Sequence, residues 1–247
     1  MTGQVYSLLL DAHEVLVGAW SYSREEGTSQ DIFLRFLFEK EFHLTQPYLQ
    51  VDVSMGEPSV LLVPDKLAEE AYSSALFRII KEEDPLGEEH LVQSVPEEQV
   101  TIMFPVPQKI IHVLDHYVRH YRLAHACGQW VKTLRLLADD NGDGLILTVM
   151  PSRVALLACR EGNLQICNIF PAQTATEIMY YLQSVKEVVG WKTEGPDCYV
   201  LGEVTPDPDL PDSLWYHLPG LLTPPTELLL DRNLPTRAQS WRYGFLR

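Results

Sequence analysis

The chain has 247 residues, enough for one large domain or two small ones, and its 46% hydrophobic and 21% charged content is that of an ordinary globular protein. A formal net charge of −15 repels phosphate backbones and anionic membrane surfaces, so neither a nucleic acid nor a lipid surface is an expected partner. No Lys or Arg precedes Arg24, no early apolar run forms a secretory leader, and no segment approaches the roughly 20 apolar residues that span a bilayer, so a cytoplasmic location is expected.

Taken in order, residues 6–11 and 15–21 predict two strands joined by a tight turn. The polar stretch 23–30 reads as a loop, and Asp31 stands where it would cap a helix to Phe42, with Ile32, Phe33, Phe36 and Leu37 inward. Strands follow at 48–53 and 58–63, and Asp65 is placed to cap a helix to about Ile80. Beyond an acidic loop at 82–87, strands are predicted at 90–94 and 100–104. Pro105 and Pro107 then lead into a helix carrying Ile110, Ile111, Leu114, Tyr117, Val118 and Tyr121. A short strand at 123–126 precedes a helix at 129–138 with Trp130, Val131, Leu134 and Leu137 inward.

Asp139-Asp-Asn-Gly-Asp-Gly144 is the sharpest break in the chain and the predicted boundary between two halves. After it, residues 144–150, 153–159 and 164–170 predict an antiparallel meander, with Gly and Asn supplying the second turn. Leu164, Ile166, Asn168 and Phe170 are expected on one face. Thr174-Ala-Thr-Glu177 is a capping box, and Ala175, Ile178, Met179, Leu182, Val185 and Val189 form one apolar helical stripe closed by Gly190. A strand at 199–201 ends at Gly202, giving a βββαβ unit. Beyond it Pro206, Pro208, Pro211, Pro219, Pro224, Pro225 and Pro235 mark an irregular tail, with a helical turn at 213–217 and a strand at 227–230. The expected division is a first lobe at 1–140, the core of a second at 141–204, and a Pro-rich portion at 205–247 that completes the second lobe. Segments 7–20 and 145–159 echo one another as strand–turn–strand, each opening a half.

Little catalytic chemistry is legible. Cys127, Cys159, Cys167 and Cys198 form no C-x-x-C, and pairing about the second turn sets Cys159 opposite Leu164, so buried thiols are expected. The run at 139–144 fits the first half of a calcium loop, but Met150 occupies the twelfth position and a strand follows, so a polar turn is the better account. His112, His116 and His120, spaced i, i+4, i+8, are the candidate ligands for zinc or nickel, weighed against a wet polar helix face. No G-x-x-x-x-G-K-[ST] or G-x-G-x-x-G motif is present.

Two halves that each open on a meander and continue into βα units are similar to the duplicated ribonuclease-H-like fold of the actin-like ATPase superfamily. Leu61-Leu-Val-Pro-Asp65, Phe104-Pro-Val-Pro-Gln108, His125-Ala-Cys127 and Asn168-Ile-Phe-Pro171 before Tyr180-Tyr-Leu182 also resemble domain-of-unknown-function family 3822, over about residues 5–204. The resemblance implies an α/β fold of two ribonuclease-H-like lobes, mixed sheets with helices packed on them, and no established activity. Actin-like ATPases hold phosphate on two hairpins with an Asp and a Gly at each turn. Here the first turn offers Asp11 without Gly, Met150-Pro-Ser152 offers neither, and Gly202 alone stands for the adenosine-side Gly pair. The expectation is a non-catalytic binding or scaffold protein with a protein partner and no cofactor. The pilus and secretion components of the superfamily are the analogy. The alternative is an atypical ATP-binding enzyme, kinase-like or ATPase, that takes ATP–Mg in an interlobe cleft with Asp11 and Gly202 as binding residues.

Overall fold

The computed structural model describes residues 4–12, 16–56, 60–68, 75, 88–150, 152–191, 195–202 and 221–222. In chain order these form β1 (Gln4–Leu10), β2 (Leu16–Ser23), α1 (Gln30–Lys40), β3 (Val51–Met55), β4 (Leu61–Pro64), β5 (Glu88–Val95), β6 (Val100–Pro107), α2 (Gln108–Tyr117), β7 (Tyr121–His125) and α3 (Ala126–Leu137). There follow β8 (Gly144–Met150), β9 (Arg153–Arg160), β10 (Asn163–Pro171), α4 (Ala175–Val189), β11 (Cys198–Gly202) and β12 (Leu221–Leu222). Two compact units result, Met1–Ser7 with Tyr22–Gly128, and Leu8–Ser21 with Gln129–Arg247; the chain passes from one to the other inside α3, ahead of the 139–144 turn. No helix among the described residues is long and apolar enough to cross a membrane.

In the second unit, β8 is buried along its whole length, which explains its unbroken apolar run: a strand covered on both faces loses the alternation of a half-exposed one. It lies at the centre of a five-stranded sheet of order β10-β9-β8-β11-β12. β8, β9 and β10 are antiparallel neighbours, while β11 returns parallel to β8, from Cys198 opposite Leu145 to Gly202 opposite Val149. The chain reaches β11 through α4, as a parallel return requires a crossover. Leu145, Leu147 and Val149 join Val154, Leu156 and Ala158 in a core closed by Ala175, Ile178, Leu182, Val185 and Val189 of α4. Met179, expected in the stripe, is only partly buried against this core.

β10 departs from simple alternation. Its register shifts between Leu164 and Ile166, where Gln165 has no opposite residue. Cys167 and Ile169 are buried while Ile166 and Phe170 pack on the core, so both faces of the strand are covered in part. The ends of α4 follow the local code. Thr174 and Glu177 form the capping box, and Gly190 takes φ 82° while the Trp191 N–H donates to the Lys186 carbonyl at 2.9 Å.

The first unit holds a parallel pair, β3 with β7, and an antiparallel sheet of order β4-β6-β5. Several expectations are corrected here. Ser29, not Asp31, precedes α1; Asp31 lies in its first turn, its carboxyl held below the usual range chiefly by the Ser29 hydroxyl. The helix stops at Lys40, and a 3-10 turn covers Phe42–Thr45. Only Phe33 and Leu37 are buried; Ile32 and Phe36 remain 59% and 47% exposed, because they occupy the neighbouring i, i+4 row. β6 continues through Pro105 to Pro107. β4 pairs only with Val100–Met103, so Pro105 lies where β6 has a single neighbour in its sheet and one missing N–H is tolerated.

α2 ends at Tyr117, so Tyr121 belongs to β7 and not to the helix, and α3 begins at Ala126, earlier than expected. Asp65 starts a 3-10 turn, Asp65–Leu67, and accepts a hydrogen bond from the Thr101 hydroxyl at 2.8 Å. Most of the helix predicted after Asp65 lies outside the described residues, as do the predicted elements at 213–217 and 227–230.

Candidate functional site

Open sheets with parallel strands bind ligands outside the carboxyl ends of those strands. In the second unit that edge is formed by Met150 and Gly202, which end the adjacent strands β8 and β11. Met150 pairs with Arg153, leaving Pro151 and Ser152 as the connection, and Ser152 takes φ 59°. A left-handed residue at this point of a turn is normally Gly or Asn. The Ser152 carbonyl accepts the Ala172 N–H at 3.0 Å, and a proline has no N–H to offer.

The N-terminus of α4 follows directly. Helix N-termini are ready anion sites because their first N–H groups lack partners. Here the Gln173 and Thr174 N–H groups donate to Glu177 Oε2 at 2.7 and 3.1 Å, and the Glu177 N–H donates to Thr174 Oγ1 at 3.3 Å. The bond from Gln173, then that from Thr174, holds the Glu177 carboxyl below its ordinary value. Of the N–H groups at this end, those of Gln173, Thr174 and Glu177 are therefore occupied by the chain's own carboxylate and hydroxyl.

The two candidate nucleotide residues stand in different sheets. Gly202 ends β11 beside Val149, whereas Asp11 is an exposed residue just past β1 in the two-stranded β1–β2 sheet. Residues 13–15 of that hairpin lie outside the described residues.

At the opposite edge of the same sheet, the 139–144 turn has a structural task. Asp139 Oδ1 accepts the N–H groups of Asn141 and Asp143 at 2.8 and 2.9 Å. Asp143 Oδ1 accepts the Glu161 N–H at 2.7 Å, and its Oδ2 accepts the Trp191 indole N–H at 3.1 Å. Gly142 takes φ 79°, and a Cβ there would lie 2.4 Å from the Gly162 nitrogen, so this position has no room for a side chain. The Arg135 guanidinium donates to the Gly162 carbonyl. The carboxylates thus tie the start of β8 to the β9–β10 turn and to the residue after α4.

The histidines separate. His112 and His116 are exposed on α2, but His120 lies beyond the helix in a bend, so the i+8 member leaves the face. His112 and His116 line a pocket of about 390 Å³ with Val113 and Tyr117 of α2 and Arg35 and Glu39 of α1. Tyr117 stacks on Phe38, with centroids 5.1 Å apart, and donates to Glu39 Oε1 at 3.0 Å. Its phenol is raised, first by desolvation and then by Glu39, against a lowering contribution from Arg35. Among the described residues no group of three or more His, Cys, Asp and Glu is arranged to hold a metal.

His125 had no distinct role in the sequence. It is wholly buried one residue before α3, its Nδ1 accepts the Cys127 N–H at 3.1 Å, and its own N–H donates to Gln93 Oε1 at 2.8 Å. The signals available for it were its place just before a predicted helix and the family-like stretch His125-Ala-Cys127. All four cysteines are buried, and burial pushes the Cys198 thiol up to about 12.

Two solved structures are similar to this chain. One is a protein of actin-like ATPase fold and unknown function from Bacteroides thetaiotaomicron, at TM-score 0.77 and 15% identity over 85% of this chain and 81% of that one. The other is a chain of a PilM–PilN type IV pilus biogenesis complex, at TM-score 0.61 and 12% identity over 98% and 93%. No curated protein matches by sequence. The sheet order third–second–first–fourth–fifth, with α4 between the third and fourth strands, is that of a ribonuclease-H-like lobe. Residues 3–219 match the family model for Protein of unknown function (DUF3822), so the chain belongs to that family and has the fold of the actin-like ATPases.

Proposed function

We propose that this protein is a non-catalytic binding or scaffold protein, an actin-like ATPase fold whose phosphate edge no longer serves nucleotide chemistry. The observation that carries this reading is the state of the backbone donors at that edge. Residue 151 is a proline and has no N–H, the Ser152 carbonyl holds the Ala172 N–H, and Glu177 holds those of Gln173 and Thr174. Phosphoryl transfer depends almost wholly on positioning and on electrostatic stabilisation of phosphate, so an edge with these donors engaged within the chain and no Asp between β8 and β9 argues against turnover. A protein partner is favoured by the similarity to a chain that sits in a PilM–PilN complex. Gly202, at the carboxyl edge beside Val149, keeps a second reading in view: an atypical ATP-binding enzyme.

The test is reconstitution. The tagged chain is purified from its native cells, its stoichiometric partner is identified, and the complex is rebuilt from the two purified proteins without nucleotide. A saturable complex is expected. A complex that forms only with ATP–Mg²⁺, or that hydrolyses ATP as it forms, overturns the proposal in favour of the enzyme.

A further inference from the structure

We propose that the α1–α2 pocket binds a small organic oxyanion through Arg35, His112 and His116. The three exposed side chains line one open pocket of about 390 Å³ between two helices, Arg35 from α1 and the histidines from α2. Among the described residues none of the three makes a hydrogen bond or ion pair within the chain, so their donors are unspent.

The chemistry of the lining selects the ligand. A guanidinium is a planar fork that meets a carboxylate or phosphate with two parallel bonds, and imidazole N–H groups supply further donors. The one carboxylate in the pocket, Glu39, accepts the Tyr117 hydroxyl at 3.0 Å and keeps its charge, so the added donors of Arg35, His112 and His116 must outweigh it for an anion to bind. Arg35 lies near enough to Tyr117 to act on its phenol, so its positive charge is felt inside the pocket. That charge disfavours a metal dication, although His112 and His116 have chelating spacing. Ligand pockets commonly run from about 300 to 1,000 Å³. A cavity of this size exceeds a bare inorganic ion and suits a small organic acid or phosphate ester. This assignment goes beyond the protein-binding role proposed above and does not depend on it.

The experiment follows the imidazole NMR resonances of His112 and His116 during titration with inorganic phosphate and, separately, with succinate. Ionic strength is held constant with sodium chloride. Saturable shifts at both histidines are expected with at least one probe, and the probe that saturates tells a phosphate-bearing ligand from a carboxylate-bearing one. Arg35→Gln, a surface change, is expected to weaken binding about tenfold or more, as loss of a charge-assisted pair does. His112→Gln with His116→Gln, followed by calorimetry, is expected to weaken it as well. Shifts that grow without saturation, or that Arg35→Gln leaves unchanged, overturn the proposal. So does a titration in which Zn²⁺ alone saturates the two histidines.

Discussion

Replacing Asp143 by alanine is expected to loosen the second unit at a point no local pattern marks. Asp143 Oδ2 accepts the Trp191 indole N–H at 3.1 Å, and Trp191 is only 8% exposed. Removing that acceptor leaves a buried donor without a partner, which costs about 1–3 kcal/mol. The bond from the Glu161 N–H is lost as well, and as a more exposed contact it contributes about 0.5–1.5 kcal/mol. The sum, about 2–4 kcal/mol, corresponds to a melting point lowered by roughly 5–15 °C in a chain of this size. Circular dichroism melts of the wild type, Asp143→Ala, Trp191→Phe and the double variant form the assay. Trp191→Phe retains an aromatic ring and removes the donor, so the cycle is expected to show a coupling of about 1 kcal/mol or more. Additivity within about 0.5 kcal/mol would show that the turn does not hold the sheet through this bond.

Four further outcomes are expected. Leu182→Ala, at a wholly buried position in the α4 core, should cost about 2–5 kcal/mol, read as a lower denaturant midpoint at unchanged slope. Thr174→Ala should cost about 1 kcal/mol, with Thr174→Ser close to wild type, because the hydroxyl caps the Glu177 N–H. Glu177 has a lowered folded-state pKa against an ordinary value of 4.5, so its contribution is present above that value and is lost as pH falls through the lower one; Glu177→Gln should flatten the acid limb of a melting-point profile there. With the cysteines buried, and the Cys198 thiol at about 12, a thiol reagent should label little in native protein and reach all four cysteines on unfolding; prompt native labelling would contradict the buried placement.

What could be read from sequence follows the range of the interactions. The capping box at Thr174, the stripe of α4 and the left-handed Gly190 are settled by residues within a few positions of each other, and the structure has them as expected save that Met179 is only partly buried. The β8–β9–β10 meander was legible for the same reason, since short turns fix antiparallel pairing. Elements governed by distant partners were less legible. The run of β6 through Pro105 depends on where β4, some forty positions earlier, stops pairing. Which row of α1 is buried depends on its tertiary neighbours and not on its own periodicity. The tie from Asp143 to Trp191 joins residues 48 positions apart, and the meeting of Arg35 with His112 and His116 is likewise tertiary. His120 fails as the third member of its row because α2 stops at Tyr117, and the i, i+4, i+8 pattern contains nothing that says so.

The central claim concerns phosphate at the carboxyl edge of the second-unit sheet, and calorimetric titration of the purified chain with ATP–Mg²⁺ tests it most directly. With Pro151 at the turn and the Ala172, Gln173 and Thr174 N–H groups spent within the chain, no saturable heat and no phosphate release are predicted up to millimolar nucleotide. Saturable binding accompanied by release of inorganic phosphate would contradict the account and return the protein to the catalytic members of its fold.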